Sequence, residues 1–143
     1  MAKFVSKNKP LHKDTCFVVY DLEYINVRAN DTRFDLENNY IWDIGAICVN
    51  NGSCFNSIVT PNKFIYKTPQ NEECLQALLN QKVSTQFKSI GSSFLKWLLY
   101  NSSRDIVLIS HGNFFIDKKL LELEFKRIGL GLNPNIYFMD TLF

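Results

Sequence analysis

Residues 17–23 read Phe-Val-Val-Tyr-Asp-Leu-Glu, an apolar run ending in two carboxylates one residue apart. On a strand, alternate side chains share a face, so Asp21 and Glu23 project together while Leu22 turns back to the core. Two like charges about 4 Å apart repel by about 1 kcal/mol in water, and by about 4 kcal/mol at the effective dielectric of a protein surface. A divalent cation turns that penalty into attraction, and a strand holds ligands more rigidly than a loop does. The competing reading is an edge strand with a solvated acidic tip.

A second stretch bears on the choice. Residues 105–110 form an apolar run, and His111-Gly-Asn-Phe-Phe-Ile-Asp117 leads from it into a helical pattern that opens at or just before Asp117. Asp117 is either a third ligand or simply a helix cap, a role that Asp fills well. The combination resembles the DEDD superfamily of 3′–5′ exonucleases, which have a ribonuclease-H-like fold. The first motif of that superfamily is an apolar strand ending Asp-x-Glu. It is followed by a strand of the type seen here as Ile41-Trp-Asp43-Ile-Gly-Ala-Ile47. The second motif is a strand, then His-Asn, an aromatic, and Asp at a helix start. Here Gly112 replaces the usual Asn, and Asp117 lies six positions after His111, where the common bacterial form has five. That longer spacing is similar to exonuclease-domain proteins of large DNA viruses.

The resemblance implies an α/β fold, a ribonuclease-H-like mixed sheet flanked by helices, over residues 14–143, after a basic tail at 1–13. It implies hydrolysis of phosphodiester bonds in DNA or RNA from a single-stranded or 3′-end substrate. Asp21 would bridge two metal ions, Glu23 would hold the one that activates water, and Asp117 would help hold the other. Magnesium or manganese suits such an all-oxygen site. The family's third motif, a His or Tyr followed by an Asp on a later helix, has no counterpart before Phe143. Residues 136–142 resemble the family's final strand with its Asp-Thr-Leu ending. The domain is therefore expected to be C-terminally truncated, lacking a fourth carboxylate and the general base, and weak or inactive as this chain. A non-catalytic module that binds nucleic acid or a protein is the alternative function.

Other residues carry two readings each. His111 is structural, or a hydrogen-bond partner behind the ligands. Tyr24, Phe114 and Phe115 are candidates to stack on a nucleotide base, with core packing the competing reading for either phenylalanine. Asp43 reads as a supporting or solvent-facing residue, because its strand leads away from the first motif. Asp140 reads as a strand-end structural carboxylate.

Composition is that of one ordinary globular domain: 143 residues, 46% hydrophobic and 21% charged. The net charge of +2 is too small to argue nucleic-acid binding by itself. Lys3, Lys7, Lys9 and Lys13 crowd the first 13 residues and read as a solvated terminus, with contact to phosphates as the alternative. No apolar run reaches the ~18 residues of a membrane helix, and no apolar segment follows the leading lysines, so the chain reads as intracellular. Cys16, Cys48, Cys54 and Cys74 form no Cys-x-x-Cys pair and read as reduced thiols, with Cys48 and Cys54 facing across a hairpin as the pairing to consider.

The elements that must position these groups follow from pattern. Strands are expected at 16–23, 40–49 and 54–60, the latter two joined by Asn50-Asn51-Gly52, a strong hairpin signal. Residues 24–40 read as a long polar insertion. Helices are expected at 72–80, from an N-cap at Ser84 through Tyr100, and at 117–128 with Gly129 at the end. Phe87, Ile90, Phe94 and Leu98 make a core-facing stripe.

Overall fold

The computed structural model describes residues 3–4, 14–28, 35–101, 104–112 and 114–141, with backbone alone for 3, 4 and 114. Its strands are β1 (Lys3–Phe4), β2 (Cys16–Asn26), β3 (Asn39–Cys48), β4 (Cys54–Ile58), β5 (Ile106–Ser110) and β6 (Ile136–Asp140). The helices are α1 (Glu72–Leu79), α2 (Phe87–Asn101) and α3 (Phe114–Arg127). The six strands form one sheet in the order β1-β6-β5-β2-β3-β4. The first four in that order run parallel, and β2, β3 and β4 are antiparallel neighbours.

Alternation in β2 divides the two faces. Cys16, Val18, Tyr20 and Leu22 are buried, whereas Val19, Asp21 and Glu23 are exposed. The buried set meets Phe87, Phe94 and Leu98 of α2 and Leu120, Leu121 and Phe125 of α3 in the main core. Gly91 permits this packing: a Cβ there would lie 2.8 Å from the Phe87 ring and 3.2 Å from both Phe125 and Ile128. On the other face, Cys74 of α1 packs with Ile25 and Trp42 in a smaller cluster.

Several boundaries differ from expectation. β2 does not stop at Glu23. Its register with β3 shifts between Glu23 and Tyr24, and pairing resumes through Asn26, so the first part of the expected insertion is strand. Residues 29–34 of that insertion lie outside the described residues. Within the expected basic tail, Lys3 and Phe4 pair with Tyr137 and Phe138 of β6; residues 5–13 also lie outside the described set. Ser84 does not cap α2. Thr60 N donates to Thr85 O at 2.8 Å, which holds that stretch against the strand end, and the helix starts at Phe87. α3 opens three residues before Asp117, so Asp117 sits inside the first turn and is not its cap.

The hairpin forms at Asn50-Asn51-Gly52, where Gly52 has φ +76° and its N–H donates to Cys48 O at 2.8 Å. Cys54 pairs with Ile47 rather than Cys48, so the two cysteines occupy opposite faces and the Cys48–Cys54 contact is absent. α3 ends as expected at Gly129 (φ +73°), with the Leu130 N–H reaching back to Phe125 O at 3.0 Å.

Candidate active site

Asp21 faces Gly45 across the β2–β3 ladder, and Glu23 faces Asp43. Direct partners lie on the same side of a sheet, so Asp21, Glu23 and Asp43 form one acidic patch. Glycine at position 45 leaves the space beside Asp21 free of a side chain. Asp43 therefore stands directly beside Glu23 on the face that carries Asp21, although its strand leads away from the first motif.

Asp117 approaches from α3. It is 3% exposed, and its carboxyl is raised to about 7, by burial first and then by Asp21, Glu23 and Asp140. Among the described residues, the charges that raise it are carboxylates. Its Oδ1 has no hydrogen-bond partner among the described residues, and neither has the buried Asp43 Oδ1. Burial, Asp21 and Glu73 raise the Asp43 carboxyl, while a hydrogen bond from the Ile44 N–H pulls the other way. Glu23 is raised by burial, Asp21, Glu73 and Asp43. Glu73, at the start of α1, is a second acidic contributor that the sequence reading missed.

The remaining candidates take distinct places. Tyr24 is half-buried just past the register shift and packs against the main core, and its hydroxyl is raised by burial, then by Asp117 and Glu23. Phe115 is 57% exposed. The Phe114 backbone opens α3, but its side chain lies outside the described residues. His111 is exposed, with Nδ1 hydrogen-bonded to Thr141 Oγ1. Asp140 is buried at the end of β6 and accepts the Gly112 N–H at 3.2 Å, in keeping with a structural role. Lys118, next to Asp117, forms an ion pair with Glu122 at 2.6 Å.

Asp43 Oδ1 and Asp117 Oδ1 are orphaned acceptors in a field made by carboxylates, which fits a cation. The donors are nonetheless not closed around one point: among the described residues, no three His, Cys, Asp or Glu side chains are grouped so as to hold a metal ion. An ion would have to draw them together.

A six-stranded mixed sheet with helices against it, carrying acids in the second half of β2 and the first turn of α3, is an α/β fold of the ribonuclease-H-like kind. Among solved structures it is similar to exonuclease I in its apo form and bound to product, and to E. coli exonuclease I in complex with a dT13 oligonucleotide. Each matches with a TM-score of 0.64 at 10% identity over 90% of this chain. The chain spans only 29%, 30% and 28% of those three chains, so the likeness shows the fold of one part of them. No protein-family model and no curated protein matches the sequence. Among the described residues, no helix is long and apolar enough to cross a membrane.

Proposed function

We propose that this chain is the core of a divalent-cation-dependent 3′–5′ exonuclease-type protein, hydrolysing phosphodiester bonds of DNA or RNA. The observation that carries the reading is Asp117: a buried carboxyl with an unpartnered oxygen, whose ionisation is opposed by Asp21, Glu23 and Asp140. Such a group is costly unless something positive completes it.

Asp21, Glu23 and Asp117 are the residues that would hold Mg2+ or Mn2+, hard ions that favour oxygen ligands. Bound there, such an ion supplies charge stabilisation at the phosphate and a more acidic water. The chain's own residues set the geometry. β2 presents Asp21 and Glu23 on the face turned away from the main core, and α3, which packs Leu120, Leu121 and Phe125 into that core, carries Asp117 within electrostatic reach of both. Tyr24 and Phe114, the latter at the opening of α3, are the aromatics that would stack on a base, worth ~1–3 kcal/mol where stacking occurs. The dT13 complex of E. coli exonuclease I makes a single-stranded or 3′-end substrate the first to try.

A non-catalytic nucleic-acid- or protein-binding module is the second reading. It is favoured by the unclosed donor set and by His111, which bonds to Thr141. The discriminating experiment incubates the chain with Mn2+ and a 3′-labelled single strand. The first reading expects slow shortening that disappears in Glu23→Gln. Binding without shortening supports the second reading, and robust cleavage that survives Glu23→Gln contradicts the proposed site.

A further inference from the structure

Cys16 opens β2 and Cys48 closes β3, and their side chains meet inside the main core. Sγ to Sγ is 3.0 Å. Cys16 is 3% exposed and Cys48 is fully enclosed, and both are free thiols. Val18 is the direct cross-strand partner of Cys48, so Cys16 is its diagonal neighbour on the same face. Two unbonded sulfurs at this separation lie within about 1 Å of the ~2.05 Å of a disulfide. Small side-chain rotations on two already paired strands would close the gap.

We propose that Cys16 and Cys48 are an oxidation site that closes to an intrachain disulfide, with hydrogen peroxide as the oxidant. Burial excludes a bulky disulfide reagent and pushes the Cys16 thiol up to about 12, so the oxidant is a small neutral peroxide and the reaction with the scarce thiolate is slow. One thiolate attacks a peroxide oxygen. The O–O bond breaks, a sulfenic acid forms, and the departing hydroxide takes up the thiol proton as water. The second sulfur then attacks the sulfenic sulfur, forming the S–S bond and breaking S–O; that hydroxide leaves with the second thiol proton as another water. Two thiols are oxidised, one peroxide is reduced, and two waters form.

The crosslink would close a loop containing Asp21, Glu23 and Asp43. It fixes the β2–β3 register on which their shared face depends, because a one-residue slip would carry Asp21 and Glu23 through the sheet. It also restricts the unfolded chain, so the oxidised protein should melt at a higher temperature. The site is independent of the proposed hydrolysis.

The test uses the whole folded protein, reduced, freed of reductant and exposed to dilute hydrogen peroxide. Intact mass, a non-reducing peptide map and the melting temperature are then measured. The expected product has lost two hydrogens, carries a Cys16–Cys48 linked peptide and melts a few degrees higher. A variant with Cys54→Ser and Cys74→Ser should keep the link and the shift, and Cys16→Ser should lose both. The inference is overturned if the wild-type map shows Cys16 and Cys48 still alkylatable, oxidised separately to sulfinic acids, or Cys48 joined to Cys54. The wild-type map decides the matter even if Cys16→Ser does not fold.

Discussion

Glu23 on β2 and Asp43 on β3 are direct cross-strand partners, and the register breaks one residue beyond them. Like charges placed directly opposite weaken a sheet by roughly 0.2–1 kcal/mol. Their juxtaposition is therefore a cost of the metal-free protein. Asp43→Asn removes the repulsion and keeps the shape, so it should raise the melting temperature in chelator by a degree or more. The same variant should bind Mn2+ less tightly, because the patch loses negative charge. A lower melting temperature in chelator would show that Asp43 is held by interactions the repulsion argument ignores.

The raised carboxyl of Asp117 sets a pH dependence. In the unfolded chain an Asp loses its proton near pH 4; in the folded protein Asp117 keeps it to about 7. Between these values the folded state binds more protons, so stability falls as pH rises from about 4 to about 7 and levels off above. Each tenfold step in that equilibrium is worth about 1.4 kcal/mol, so the loss is on the order of a few kcal/mol. Glu23 and Asp43 are raised as well and contribute with the same sign. In chelator, Asp117→Asn should flatten the profile and leave the variant more stable than wild type at pH 8. Parallel wild-type and variant profiles would contradict the assignment.

Glu124 makes a structural prediction on the same helix. It is 4% exposed, accepts the Ile41 N–H at 3.0 Å through Oε2, and accepts Arg127 Nη1 at 3.0 Å through Oε1. Arg127 also donates to Asn39 O and Glu37 O, and lies 3.9 Å over the Tyr40 ring. Glu124→Ala strands a buried N–H and frees the guanidinium, so it should cost about 1–3 kcal/mol in denaturant unfolding. Glu124→Gln keeps an acceptor for Ile41 and should cost less. Equal losses for both variants would mean that charge, and not the Ile41 hydrogen bond, dominates.

Local pattern made some of the site legible, and pairing at a distance hid the rest. Asp21 and Glu23 could be read because side-chain alternation is fixed within one strand. Asp117 could be read because a strand, a polar turn and a helix follow one another in the chain. The place of Asp43 opposite Glu23 could not be read because its face depends on the β2–β3 register, including a shift that no short window reveals. Glu73 joins the acids only through the docking of α1, and no spacing rule links it to β2. Ser84 had the right chemistry for a cap, but the Thr60–Thr85 backbone bond overrode it. The pairing of β1 with β6 and the meeting of Cys16 with Cys48 are likewise products of tertiary structure.

The central claim is that Asp21, Glu23 and Asp117 form one cation site, and a thermal titration with Mn2+ tests it most directly. A ligand that binds the folded state stabilises it by RT ln(1 + [L]/Kd), about 2.7 kcal/mol at a hundredfold excess over Kd. Across micromolar to millimolar Mn2+, the melting temperature of the wild type should rise in a saturable way. Asp21→Asn, which preserves shape and removes the carboxylate expected to be shared between the ions, should lose most of that rise. A melting temperature that stays flat in millimolar Mn2+, or rises equally in Asp21→Asn, would contradict the account.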